Sequence, residues 1–172
     1  MDGSHAARRN TFNAITALTH KAMYTAGLNA KNKLSEPDKL HNVAMHENVS
    51  LWPSIYTGIG VITNRVTPPH RDNGGCVQWY DLLASCSMHS KATLDVAEIQ
   101  ATFAYPPGTV IQICGKILTH QVDSWVGGER ICIAHYMRNM VHEHLGIDQP
   151  MWSRRQFYLP LMNRDFCIAQ GW

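Results

Sequence analysis

The stretch Tyr105-Pro106-Pro107-Gly108-Thr109-Val110-Ile111-Gln112-Ile113-Cys114-Gly115-Lys116-Ile117-Leu118-Thr119-His120-Gln121-Val122 decides the fold. A Pro-Pro-Gly turn gives way to a short run rich in β-branched residues, a glycine interrupts it, and a second short run follows. Both runs are too short for an ordinary helix and both are bounded by turn residues, so Thr109 to Cys114 and Ile117 to Val122 read as strands. The same grammar extends outward. Upstream lie Ile55 to Thr63, Val77 to Leu83 after the Gly74-Gly75 turn, Ala92 to Val96, and Glu98 to Tyr105; downstream, Gly127-Gly128 introduces Arg130 to Tyr136. Seven or eight short strands with turns at regular spacing predict a mainly β protein, an antiparallel sandwich or barrel such as a jelly roll, with flanking helices.

The helices flank this core. Phe12, Ile15, Leu18, Ala22 and Met23 recur at three and four, which predicts an amphipathic helix from Thr11 to about Ala26 that stops at Gly27. The residues before it carry Arg8 and Arg9 without an apolar pattern and are expected to fray. Asn29 to Lys39, with Pro37, reads as a loop, Leu40 to Met45 as a short turn, and Met137 to Leu145 as a helix ending at Gly146. Trp152, Phe157, Tyr158, Phe166 and Trp172 are expected to pack back on the core. The chain is thus read as a single domain over 1–172: helical support at 11–50, a jelly-roll core at 55–137, and a C-terminal helix and aromatic tail at 138–172.

Composition narrows the class. With 172 residues, 45% hydrophobic and 16% charged, the chain can bury a substantial core and is not a disordered one. A net charge of +2 is too mild to announce nucleic-acid binding by itself. No apolar run reaches the length of a membrane span and no secretory leader opens the chain, so a soluble, intracellular protein without a membrane partner is expected. Five cysteines, odd in number and without CxxC pairing, argue against a disulfide framework and against a zinc ribbon.

Ten histidines are a rich supply of imidazole. His70-Arg71-Asp72 places an imidazole and a carboxylate two residues apart, where a strand gives way to a glycine turn; in a strand, such residues share a face and Arg71 points away. By chance an H-x-D arises in about one such chain in two, so the pair needs support. His120 closes Gly115-Lys116-Ile117-Leu118-Thr119-His120, within the second of the runs quoted above. Two histidines and a carboxylate on a sheet form the facial triad of non-haem Fe(II) oxygenases, which leaves three coordination positions for a 2-oxo acid and dioxygen. The distal carboxylate of such a co-substrate needs a cation, and Arg130 heads the next apolar strand with Cys132, Ala134 and Tyr136 on its face. Other candidates read as structural: Asn64 and Arg65 as a strand-end pair, His135 as out of the Arg130 row, Trp79 and Trp125 as core. His142 and His144 diverge on a helix, and there is no HExxH.

Residues 69–72, 106–122 and 127–136 together resemble the double-stranded β-helix of 2-oxoglutarate/Fe(II) dioxygenases, and most resemble its TET/JBP branch, particularly the fungal members, which oxidises methylated DNA bases. The resemblance implies His70, Asp72 and His120 as iron ligands and Arg130 as partner of the 2-oxoglutarate distal carboxylate. It sets Cys132 where a serine often touches that carboxylate, and Tyr136 where an aromatic can stack on a flipped base. Arg138, two residues on, is placed to meet the base edge or a phosphate. Fe(II), 2-oxoglutarate, dioxygen and DNA carrying 5-methylcytosine are the implied partners, and the nucleus the implied place. Gly75 stands where animal members carry a base-reading asparagine, and their cysteine-rich zinc-binding region has no counterpart here. The alternatives are the same chemistry on N-alkylated bases, a small molecule or a protein side chain, or a jelly-roll binding module without turnover.

Overall fold

The computed structural model describes residues 3–36, 43–52 and 54–157, and divides them into two compact units. One unit takes the chain up to Ile55 together with the part from His142 onward; the other is Tyr56–Val141.

In the first unit, α1 (Gly3–Thr19) and α2 (Lys21–Leu34) are separated at His20, and α3 spans Val43–Leu51. The break falls at His20 rather than at Gly27 because the His20 side chain caps α2, its Nδ1 accepting from the Met23 amide at 3.2 Å. Gly27 instead lies inside α2 on its buried face, with Met23, Ala26 and Ala30. Helix α1 begins at Gly3, so the expected fraying before Thr11 is replaced by helix, and α2 continues to Leu34 through part of the expected loop. Lys31 and Lys33 donate to the Trp52 and Leu145 carbonyls at 2.9 and 2.7 Å, and Asn13 Oδ1 accepts from the Ile55 amide at 3.1 Å. Pro37 and the start of the expected turn at 40–42 lie outside the described residues, as do Tyr158, Phe166 and Trp172 of the expected aromatic tail.

The second unit is the β fold. Its strands are β1 (Gly58–Thr63), β2 (Thr67–His70), β3 (Asp81–Ser87), β4 (Thr93–Val96), β5 (Ala101–Ala104), β6 (Val110–Ile113), β7 (His120–Val122) and β8 (Arg130–Tyr136). A short helix α4 (Asn139–His144) follows. All pairings are antiparallel, in two four-stranded sheets ordered β1-β8-β3-β6 and β2-β7-β4-β5. The chain passes repeatedly from one sheet to the other, which is the jelly-roll order. Leu83, Ala92, Leu94, Val96, Tyr105, Ile113, Val122 and Cys132 form its buried core, drawn from both sheets. Strand β3 starts at Asp81, four residues later than the sequence pattern predicts, because its place between β6 and β8 keeps Asp81 to Ser85 buried on both faces.

Candidate metal centre and cavity

Register brings the first two donors together. His70 and His120 are direct partners across β2 and β7, so both imidazoles project from one face of neighbouring strands, with ring centroids 4.3 Å apart. Asp72 lies two residues beyond the end of β2. The expectation that strand alternation orients it is therefore corrected: its position is set by the Asp72 amide donating to the Gly115 carbonyl at 2.9 Å. Its carboxylate oxygens come within 3.6 Å of His70 Nε2 and 3.7 Å of His120 Nε2. One ligand atom from each of the three residues falls within 4.8 Å of the others. A Cβ on residue 115 would collide with the Asp72 carboxylate and crowd that of Asp81, so the glycine that ends a strand pattern in the sequence is here a cradle for two carboxylates.

The donor chemistry fits a divalent cation. His70 Nδ1 lies 2.9 Å from the Pro68 carbonyl and His120 Nδ1 3.0 Å from the Leu118 carbonyl. A carbonyl can only accept, so each Nδ1 carries a proton and each Nε2, turned toward Asp72, is the ring atom free to offer a lone pair to a cation. Two lone pairs and one carboxylate around a common point make a site for a transition-metal dication with open positions.

The reverse side of the same strands is tied by hydrogen bonds. Arg71 Nη2 donates to Glu98 Oε1 at 2.5 Å and its Nε to Thr119 Oγ1 at 3.1 Å, while the Thr119 amide and hydroxyl both donate to Glu98 at 2.7 Å. These bonds hold the Glu98 carboxyl down at about 2. They link the residue after His70 to the residue before His120, and neither Glu98 nor Thr119 was singled out by spacing.

The triad opens on a cavity of about 380 Å³. All seven residues singled out from the sequence line it: His70, Asp72, His120, Arg130, Cys132, Tyr136 and Arg138. Arg130 is 2% exposed. Its guanidinium sits 5.7 Å from the Tyr105 ring centre and 5.8 Å from that of Trp125, and one Nη1 contact goes to the Arg65 carbonyl at 3.1 Å. Its Nε is buried without a hydrogen-bond partner. Asn64 fixes its backbone, with the Arg130 amide donating to Asn64 Oδ1 at 2.9 Å and the Asn64 amide to the Arg130 carbonyl at 2.8 Å. Such a cation, desolvated and facing a cavity, is suited to a carboxylate ligand.

Cys132 Sγ meets Tyr105 Oη at 3.4 Å, and burial pushes both groups up, so the pair is neutral. Tyr136 lies along β1, where a Cβ on Gly58 would overlap its ring, and the Arg138 guanidinium stacks over that ring at 4.4 Å. Asp81, unnoticed in the sequence, lines the same cavity; burial, and then the charge of Asp72, push its carboxyl up to about 7. An acid inside the apolar run Asp81-Leu82-Leu83-Ala84 was the available signal. Among the described residues no other cluster of three metal-ligating side chains occurs, and His142 and His144 do not form one. Cys76, Cys86, Cys114 and Cys132 form no disulfide. Among the described residues no helix is long and apolar enough to cross a membrane.

A family model described as Tet_JBP, the oxygenase domain of the 2OGFeDO superfamily, matches residues 10–139. Among solved structures, "NgTET1 in complex with 5mC DNA" is similar at 18% identity and TM-score 0.47, over 52% of this chain and 37% of that one. The chain thus spans well under half the length of that relative. No curated protein matches it.

Proposed function

We propose a substrate for a chain that belongs to the Tet_JBP family, the oxygenase domain of the 2OGFeDO superfamily, and is on that ground an Fe(II)- and 2-oxoglutarate-dependent dioxygenase: the methyl group of a DNA base, 5-methylcytosine before others. The observation that carries this reading is the division of labour along one cavity. Its inner end holds a buried guanidinium, its wall the His70–Asp72–His120 cluster, and its mouth an aromatic ring with a stacked arginine.

In this reading His70, Asp72 and His120 ligate the iron, and the Pro68 and Leu118 carbonyls keep both imidazoles in the tautomer that ligation needs. When bound, iron with 2-oxoglutarate and dioxygen supplies the oxidising chemistry that converts a substrate C–H to C–OH, with succinate and carbon dioxide as the other products. Arg130 takes the distal carboxylate of the co-substrate, and Cys132, one inward position along β8, borders it as a neutral thiol. Leu83, Leu94, Val122 and Ala134 line the space between and keep water from it. At the mouth, Tyr136 and Arg138 offer a ring and a guanidinium plane, the groups on which unstacked bases are held. Extruding a base costs a few kcal/mol, and stacking worth about 1–3 kcal/mol per base offsets much of it. A DNA substrate assigns the protein's work to the nucleus as part of the same proposal.

The test is nucleoside mass spectrometry after incubating the protein with Fe(II), 2-oxoglutarate and DNA containing 5-methylcytosine. Hydroxymethylcytosine is expected. Unchanged nucleosides alongside steady succinate formation would move the substrate to an N-alkylated base, a small molecule or a protein side chain.

A further inference from the structure

The hydrogen bonds between β1 and β8 run one residue past the end of β1, and the extra residue is Asn64. Its amide donates to the Arg130 carbonyl at 2.8 Å, as that of a ladder residue would. In a regular antiparallel pair the Arg130 amide would return the bond to the Asn64 main-chain carbonyl. Here it goes to the Asn64 side chain, to Oδ1 at 2.9 Å, because Asn64 stands at φ 48°, where the left-handed backbone turns the chain out of the ladder. Asparagine suits both demands, since it tolerates that φ and carries the acceptor. One residue on, the turn brings the Arg65 carbonyl to 3.1 Å from Arg130 Nη1. A single dipeptide thus grips Arg130 by its backbone and by its guanidinium. Among the described residues the bond to Arg65 is the directional hold on that guanidinium. The Tyr105 and Trp125 ring centres lie 5.7 and 5.8 Å away, and a ring attracts a cation anywhere over its face. How far the guanidinium reaches into the cavity is therefore set by the Arg65 carbonyl, and the place of that carbonyl by Asn64.

We propose that Asn64 is a positioning residue for the co-substrate: by locking the turn that presents the Arg65 carbonyl, it fixes the depth of the Arg130 guanidinium in the cavity and so limits the length of 2-oxo diacid the site accepts. This rests on the reading of Arg130 as the partner of the distal carboxylate. With one end of the diacid at the triad and the other at Arg130, the span between the two acts as a ruler. A diacid one methylene longer has to buckle against Leu83, Leu94 or Val122, or give up part of its charge-assisted fork. Neither penalty arises if the guanidinium is free to withdraw and follow the carboxylate. In the sequence Asn64 and Arg65 look like the end of a strand and nothing more; their task appears when Arg130 is placed against them.

The experiment measures binding without turnover, by isothermal titration calorimetry of the Mn(II)-loaded protein under anaerobic conditions. The titrants are 2-oxoglutarate and 2-oxoadipate, which differ by one methylene and carry the same charge. Wild type is expected to prefer 2-oxoglutarate by about 10- to 200-fold, the scale on which a pocket registers one methylene. Asn64→Gly keeps the turn and loses the acceptor, and Asn64→Ala loses both; each should compress the preference to less than about threefold. Asn64→Asp keeps the acceptor and tolerates the turn, and should hold the wild-type ratio, in which its added charge cancels. A merely structural role would lower the melting temperature of the variants and leave the ratio alone. Equal affinities in wild type, or a wild-type ratio in Asn64→Gly, therefore overturns the proposal. Asn64 is exposed, so its replacement opens no cavity; if Asn64→Ala still does not fold, Asn64→Gly decides. Arg130→Met separates the two levels. Loss of 2-oxoglutarate binding in Arg130→Met with an unchanged ratio in Asn64→Gly sinks the positioning role alone, whereas full binding in Arg130→Met sinks the carboxylate assignment with it.

Discussion

Replacing Arg130 by methionine should make the protein more stable and deaf to 2-oxoglutarate at once. The guanidinium is 2% exposed, its Nε has no partner, and its surroundings are two aromatic rings and a carbonyl rather than a carboxylate. Exchanging a buried ion for an apolar side chain of similar volume is often neutral or stabilising by about 1–4 kcal/mol. For a chain of 172 residues, each kcal/mol moves the melting temperature by about 2–4 °C, so Arg130→Met should melt several degrees above wild type in the absence of ligand. Ligand reverses the order. At a concentration of 100 Kd, 2-oxoglutarate stabilises wild type by about 2.7 kcal/mol, a rise of about 5–11 °C. Loss of the charge-assisted fork costs about 3 kcal/mol of binding, or roughly 150-fold in Kd, which leaves about 0.3 kcal/mol of stabilisation at the same concentration, about a degree. The assay is thermal unfolding of the Mn(II)-loaded protein under anaerobic conditions with and without 2-oxoglutarate. A variant that keeps the full ligand-induced rise would show that the distal carboxylate binds elsewhere; one that melts lower without ligand would show that the guanidinium is compensated after all.

Four further outcomes are expected. Glu98→Ala removes the bonds joining the strands behind the metal cluster and should weaken Co(II) binding by about 10- to 100-fold, read from the d–d absorption in competition with a chelator; unchanged affinity would leave the bonds as surface decoration. Burial holds the His135 pKa below its ordinary value, so unfolding takes up a proton below about pH 6.5, and wild type should lose stability relative to His135→Gln by up to about 1.4 kcal/mol per pH unit as pH falls from there, measured by urea titration between pH 7 and 5. Asp81→Asn should show the opposite trend in the metal-free protein, because a carboxyl raised to about 7 stabilises the fold at low pH and loses that contribution as pH climbs toward 7. Gly58→Ala puts a methyl where the Tyr136 ring lies and should cost about 1–3 kcal/mol in urea unfolding; a neutral effect would mean that the ring moves freely.

What the sequence made legible is what depends on period. The Arg130, Cys132, Ala134, Tyr136 row follows from two-residue alternation on β8, and all four line the cavity. His70 ends β2 and His120 begins β7, and antiparallel pairing sets those two ends side by side. What escaped depends on tertiary neighbours. Asp72 is held by a backbone bond to Gly115, a residue 43 positions away, which no local pattern announces. Strand β3 runs to Ser87, beyond the expected end at Leu83: Ser85, Cys86 and Ser87 look like turn residues, yet pairing with β8 runs through all three. Gly27 reads as a helix stop on propensity but lies on the buried face of α2, while His20 supplies a cap that propensity does not weigh. Asp81 was visible only as an anomaly, an acid in a buried run, and its meaning appears when Asp72, Gly115 and Arg138 gather around it.

The distribution of charge within the cavity also orders the loading of the site. Arg130 is the buried cation of the cavity; Asp72 and Asp81, whose carboxylates crowd the same point beside Gly115, line its wall. A 2-oxo diacid that places its distal carboxylate on Arg130 must bring its second carboxylate toward that pair. At about 4 Å and an effective dielectric of 20, each like-charge contact costs about 4 kcal/mol, and the partial exposure of Asp72 reduces the net penalty to about 1–2 kcal/mol. A divalent cation on the triad changes repulsion into attraction. The metal-free protein should therefore bind 2-oxoglutarate at least about tenfold more weakly than the Mn(II)-loaded protein, while Asp72→Ala without metal should recover part of the difference, since it removes one of the repelling charges. Isothermal titration calorimetry with and without Mn(II) measures both. Metal-free wild type and Asp72→Ala binding the co-substrate equally would mean that Asp72 does not face the incoming carboxylate, and the assignment of the triad's open positions would have to be redrawn.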